Sequence, residues 1–231
     1  MILHTSDGDE SWQEQLSGEG DIWSLDQVQF IDANIGWAVD YWNYFLRTTD
    51  GGANWDVIQS APPGPFFFLD ANIGWMARGG DGVYHTIDGG VTWTESDYLA
   101  TTIFNSIWFA DTQHGWMTGR ERLDDDHDRG VIFATTNGGL TWTKQHQTGG
   151  LAPRDGLFDA VFKDASSGWA VGSGGRIVST TNGGASWIPQ DSGMTADFRS
   201  IQTAGDTTPT PTPTHTPIPT HALWLPLMRR Q

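Results

Sequence analysis

Carboxylates at alternating positions are the first candidates for chemistry in this chain. The segment "RERLDDDHDRG" carries Asp124, Asp126 and Asp128. Oxygens so placed can converge on Ca²⁺, which takes six to eight of them. An EF-type loop opening at Asp124 would need Gly at position 129 and Glu at position 135, where Arg129 and Thr135 stand. A calcium site is therefore set against a solvated acidic loop. The histidines are scattered without metal-ligand spacing, and Arg47, Arg78 and Arg176 occupy unequal offsets within their repeats, so they do not read as one anion-binding patch. No catalytic residue and no organic cofactor site is assigned.

The remaining acidic signal is repetitive. "TTDGGANW" (Thr48 to Trp55) returns as "TIDGGVTW" (Thr86 to Trp93), "TTNGGLTW" (Thr135 to Trp142) and "TTNGGASW" (Thr180 to Trp187), with a worn copy, "TSDGDESW", from Thr5 to Trp12. Asp7, Asp50 and Asp88 alternate with Asn137 and Asn182 at the same place. Asn keeps the oxygen acceptor and loses the charge. The exchange fits an Asx-type turn bonded to N–H groups a residue or two ahead, and fits acid/base or metal chemistry poorly. The paired glycines supply the positive φ of a tight hairpin. Trp12, Trp55, Trp93, Trp142 and Trp187 then open the return strand with a large apolar surface.

Those turns need a frame. Trp37, Trp75, Trp116 and Trp169 each follow a glycine, and the interval to the turn Trp is 18 residues in three copies and 26 in the third. The stretch before each Gly-Trp alternates apolar and polar, as in "VQFIDANIGW" and "AVFKDASSGW". Four short strands recurring about every 40 residues predict a β-propeller. The expected fold is all-β, of about five blades, within residues 1–205. Four full repeats cover about 24–62, 63–100, 101–150 and 155–193. A partial blade is shared by 1–18 and 194–205, with "FRSIQ" (Phe198 to Gln202) as its innermost strand. A blade cannot bury both faces of its sheet alone, so most of the tryptophans are expected to wedge between blades.

The turn motif resembles the Asp-box, or BNR, repeat of sialidase-like propellers. Its pairing with Gly-Trp, as in "GWAVGSGGRIVSTTNGGASW", is more similar to the photosystem II assembly and stability factor family, the Ycf48-like propellers, over about residues 3 to 203. The chain departs from the pattern at Asp9, Asn137 and Asn182. The resemblance implies a non-enzymatic propeller that holds a protein or peptide, with a photosynthetic assembly role in that family. The Asp-box relatives imply an alternative, a glycoside hydrolase with two carboxylates and a glycan as ligand.

Composition narrows the partners. Twelve Lys and Arg face 28 Asp and Glu, a net charge of −16, which disfavours nucleic acid and anionic membranes. There is no cysteine and no apolar run long enough for a transmembrane helix. A monomer is expected. Residues 206–221, "DTTPTPTPTHTPIPTH", read as a disordered, polyproline-like stalk of about 50 Å when extended. Residues 222–231, "ALWLPLMRRQ", form a short apolar and basic motif. Stalks of this composition suit an extracellular or cell-surface protein. The acidic start at Met1 does not read as a signal peptide. An upstream segment carrying a signal peptide and the missing Gly-Trp strand of the partial blade is therefore expected, with a cytoplasmic location as the alternative.

Overall fold

The computed structural model describes residues 2–5, 10–16, 25–40, 44–58, 64–80, 82–97, 99, 102–149, 155–203 and 224–226. Strands β1 (Ile2–His4) and β2 (Gln13–Leu16) open the chain. Four meanders of four antiparallel strands follow. The first blade is β3 (Leu25–Phe30), β4 (Gly36–Asp40), β5 (Phe45–Thr48) and β6 (Asp56–Ile58). The second is β7 (Phe66–Phe68), β8 (Gly74–Arg78), β9 (Gly82–Thr86) and β10 (Thr94–Asp97). The third is β11 (Thr102–Phe109), β12 (Gly115–Arg122), β13 (Asp128–Thr135) and β14 (Thr143–Gln147). The fourth is β15 (Leu157–Phe162), β16 (Gly168–Gly172), β17 (Ile177–Thr180) and β18 (Ile188–Gln190). The arrangement is a β-propeller with four complete blades.

The repeated residues explain why the sheets stack. Trp37, Trp75 and Trp116 each lie flat on the Phe that closes the innermost strand of the next blade. The ring centroids are 3.7 Å apart for Trp37–Phe68, 3.6 Å for Trp75–Phe109 and 3.8 Å for Trp116–Phe162. The same Phe meets the turn Trp of its own blade edge to face, as in Trp93–Phe68 at 5.9 Å and Trp187–Phe162 at 5.8 Å. The glycine of each Gly-Trp pair is a contact requirement. A Cβ at Gly74 would lie 2.6 Å from the Phe68 ring, and Gly36, Gly115 and Gly168 are covered by Phe30, Phe109 and Phe162 in the same way. The core is accordingly divided into clusters between consecutive sheets, such as Phe66, Phe68 and Met76 with Trp37, Val39 and Phe45. Trp37, Trp75 and Trp116 are thus wedged between blades.

The terminal sheet is three-stranded. Strand β19 (Trp224–Pro226) pairs antiparallel with β1, in the order β19-β1-β2. Trp224 stands opposite His4, one residue before Thr5, as Trp37 stands opposite Arg47, one residue before Thr48. Thus β19 occupies the second-strand place that the sequence reading assigned to an upstream Gly-Trp strand, and it lies within the terminal 222–231 motif. Phe198 to Ile201 run beside β15 without forming a ladder. The Ile201 N–H donates to Asp159 Oδ2 at 3.0 Å, as the Phe66 N–H donates to Gln27 Oε1 at 3.1 Å. This segment follows β15 much as β7 follows β3. The Thr-Pro run, 206–221, and Asp7 lie outside the described residues. Among the described residues no helix is long and apolar enough to cross a membrane.

Candidate functional site

Antiparallel meanders give the molecule two ends. The Asp/Asn turns and the turns between first and second strands share one end. The links between second and third strands, and those from one blade to the next, share the other.

The turns of the first end are held by local hydrogen bonds. Thr86 is 2% exposed; its hydroxyl accepts from the Gly90 N–H at 3.0 Å and donates to Asp88 Oδ1 at 2.8 Å. Asp88 Oδ1 also accepts from the Thr92 N–H, four residues ahead, at 2.9 Å, while the Thr92 hydroxyl donates to Oδ2 at 2.6 Å. The acceptor role is as expected, but the N–H lies four residues on rather than one or two. The backbone explains the reach: Gly89 and Gly90 sit at φ 75° and 90°, and turn the chain back under the carboxylate. Hydroxyls also account for the Asp/Asn exchange, because they both donate and accept. The Asn137 amide donates to the Thr141 hydroxyl, and Asn182 to the Ser186 hydroxyl, each at 2.9 Å. Asp50 makes the same set of bonds with Asn54. Hydrogen bonds from Thr92 hold the Asp88 carboxyl below the usual range, and those from Asn54 do so for Asp50.

This end is bolted across blades as well. The indole N–H of Trp37 donates to Gly89 O at 2.9 Å, that of Trp75 to Gly138 O at 2.8 Å, and that of Trp116 to Gly183 O at 3.1 Å. Each turn thus closes against the preceding blade. Trp12 and Trp169 are partly buried. A second repeated carboxylate lies at this end: Asp32, Asp70, Asp111 and Asp164. Each accepts from the N–H groups two and three residues ahead, as Asp70 does from Asn72 and Ile73 at 2.7 and 2.8 Å. Its constant spacing of four residues before the glycine of Gly-Trp was the signal that could have found it.

The opposite end holds a pocket lined by described residues. The register of the innermost strands slips by one residue between Leu25 and Gln27, between Phe104 and Ser106, and between Leu157 and Asp159. Asp26, Asn105 and Phe158 are the extra residues, and bulges of this kind re-aim a side chain. A cavity of about 240 Å³ opens there, lined by Asp26, Gln27, Val39, Asp40, Gly64, Pro65, Phe104 and Asn105. Asp40 is 2% exposed. Its Oδ1 accepts from the Tyr44 N–H at 2.7 Å, and its buried Oδ2 has no hydrogen-bond partner among the described residues. Asp26 is exposed, yet partial desolvation against the pocket wall raises its pKa, and the nearby Asp40 charge raises it further. Neither carboxylate was singled out in the sequence, since neither belongs to a repeat.

Other charges at this end are spent on one another. The third-blade insertion extends β12 and β13 into a long hairpin. On it Asp128 accepts from Arg120 at 2.5 Å, Asp124 bonds His127 at 2.8 Å, and Asp126 donates its N–H to Asp124. Of the three candidate calcium ligands, Asp128 and Asp124 thus bond different side chains, and Asp126 is joined to Asp124 through its N–H. No group of three or more His, Cys, Asp or Glu is placed to hold a metal among the described residues. Glu121 takes both Arg129 and Lys144, at 2.6 and 2.7 Å. Asp155, 5% exposed, accepts from Arg176, Thr148 and Ser173. Burial works to raise its pKa, and those hydrogen bonds outweigh it. Arg47 instead packs beside Gly89 of the next blade, and Arg78 ends β8 exposed.

No family model matches this chain, and no curated protein matches it. Solved structures do. YCF48 from Cyanidioschyzon merolae is 18% identical, with a TM-score of 0.52 over 81% of this chain and 65% of that one. The Niastella koreensis GH74 enzyme is 17% identical, with a TM-score of 0.54 over 72% of this chain and 30% of its own. The GH74 xyloglucanase from Xanthomonas campestris is 12% identical, with a TM-score of 0.54 over 70% and 29%. These likenesses establish the class of the molecule, a β-propeller. The same blade frame occurs in YCF48 and in GH74 enzymes, so fold alone does not choose between binding and hydrolysis.

Proposed function

We propose that this chain is a non-enzymatic binding propeller that holds a protein or peptide partner at the end opposite its Asp/Asn turns. The observation that carries this reading is the pocket itself. At about 240 Å³ it falls below the ~300–1,000 Å³ usual for small-molecule sites, so it suits one protruding side chain better than a run of sugar units. Its two carboxylates belong to adjacent strands of one blade, with Leu25 directly opposite Asp40 in the register.

The alternative, a glycoside hydrolase, has one observation in its favour. A carboxyl with a raised pKa beside a second carboxylate is the pairing from which such enzymes build an acid and a base. A single pair of assays separates the readings. The full chain is incubated with a panel of soluble polysaccharides, and reducing ends are measured. In parallel it is screened against a peptide array. Peptide binding with no rise in reducing ends is the expected result. Sugar release that Asp26→Asn abolishes would replace the binding reading with the hydrolase.

A further inference from the structure

We propose that the Asp26–Asp40 pocket receives one cationic side chain, the ammonium of a lysine or the guanidinium of an arginine, from that partner. The inference rests on reading this end as the binding face and adds the chemistry of the contact.

The polar groups around the cavity dictate what can enter it. Gln27 is already committed at both amide atoms: its Nε2 donates to Phe66 O at 2.6 Å, and its Oε1 accepts from Phe66 N. The Asn105 Nδ2 donates to Leu157 O at 2.8 Å, in the fourth blade. Among the described residues, the side-chain donors that line the pocket are therefore turned into the sheets. Asp26 and Asp40 Oδ2 are left as acceptors, and Asp40 is 2% exposed. A buried carboxylate oxygen with no donor is costly unless something supplies one. A ligand that donates hydrogen bonds and carries positive charge satisfies Oδ2 and relieves the repulsion between the two acids.

The walls then set the class of cation. Val39, Pro65 and Phe104 give an apolar lining that suits the methylene stem of a long basic side chain. A divalent metal is a poor fit, since Ca²⁺ wants six to eight oxygens and, among the described residues, two carboxylates meet here. The charge of −16 on the whole chain favours approach of a basic segment from a distance.

The test is an NMR titration of ¹⁵N-labelled full chain with Nα-acetyl-lysine, Nα-acetyl-arginine and Nα-acetyl-norleucine methylamides. Norleucine keeps the stem and lacks the charge. The amides of Val39, Asp40 and Asn105 should move with lysine or arginine at millimolar concentration and not with norleucine. Asp40→Asn should weaken the response by roughly tenfold or more. That variant keeps the Oδ1 acceptor for the Tyr44 N–H, so it is expected to fold, and a thermal melt checks this. Asp26→Asn provides a second variant, with a weaker loss expected. No shift with either cation, equal shifts with norleucine, or an unchanged response in Asp40→Asn would overturn the proposal. If array peptides map to this end with no loss on replacing Lys and Arg by norleucine, the cation pocket fails while the binding face stands. If lysine shifts these amides but bound peptides protect the other end, the binding-face reading fails.

Discussion

The two ends of this propeller use carboxylates in opposite ways. At the described Asp/Asn turns, Asp50 and Asp88 each accept from the backbone N–H four residues ahead, and Asn137 does the same, so Asn can stand in for Asp because the oxygen matters more than the charge. At the other end Asp40 is buried with one oxygen unmatched among the described residues, and Asp26 lies beside it with a raised pKa. The first arrangement stabilises the fold. The second costs stability, which is where groups kept for binding are expected to be found. The difference teaches that repetition of an acidic motif points to a structural role here, and it directs the proposed binding chemistry to the unrepeated carboxylates.

The largest effect should come from breaking a bolt between blades. Trp75→Ala removes a side chain that is 1% exposed, its stack on Phe109 and its bond to Gly138 O. A loss of about 3–5 kcal/mol is expected by urea denaturation. Trp169 occupies the same place in the fourth blade but is only partly buried, so Trp169→Ala should cost clearly less. Equal costs would show that the stacking contact is not what secures the blades.

Next in size is the terminal strand. Deleting 222–231 removes β19 from the β1 edge. Amides of Ile2 to His4 should then lose protection in hydrogen exchange, and the melting midpoint should fall. Deleting part of the Thr-Pro run, with β19 retained, should change neither. Unaltered protection after the first deletion would mean that β19 does not complete the sheet in solution.

How far the sequence revealed these features depends on repetition. Glycine before Trp37, Trp75, Trp116 and Trp169, and the Thr at the head of each turn, recur at fixed offsets, so the blades and their order were legible. The Asp32, Asp70, Asp111 and Asp164 turns were equally periodic. They could have been read from their constant place before Gly-Trp. The pocket had no such trace. Its bulged residues are Asp26 and Asn105, and Phe158 takes the equivalent place in the fourth blade, so no shared side chain marks the position. Asp40 becomes notable only because its register with Leu25 sets it beside Asp26 and because Gln27 turns away to bond the next blade. The place of Trp224 opposite His4 was hidden by the proline-rich run that separates it from the blades.

A smaller effect belongs to the turns. Asp88→Ala should lower stability by about 0.5–1.5 kcal/mol, and Asp88→Asn by much less, since Thr92 can accept from an amide as Thr141 does. If both variants melt at the same lowered temperature, the account of the Asp/Asn exchange is wrong. The pH dependence carries the same sign. Asp88 and Asp155 are held below their ordinary values in the folded state. Their stabilisation is therefore present above the unfolded pKa of about 3.9 and is lost as pH falls through the lower folded value. Denaturation curves should show the advantage of the wild type over Asp155→Asn shrinking below about pH 4.

The contrast between the two ends is tested most directly by comparing Asp40→Asn with Asp88→Ala under two readouts, thermal midpoint and response to Nα-acetyl-lysine methylamide. Asp40→Asn should hold or raise the midpoint, because it removes a buried unmatched charge, and should lose the lysine response. Asp88→Ala should lower the midpoint and leave the lysine response intact. A destabilised Asp40→Asn that still responds to lysine as the wild type does would contradict the assignment of stability to one end and binding to the other.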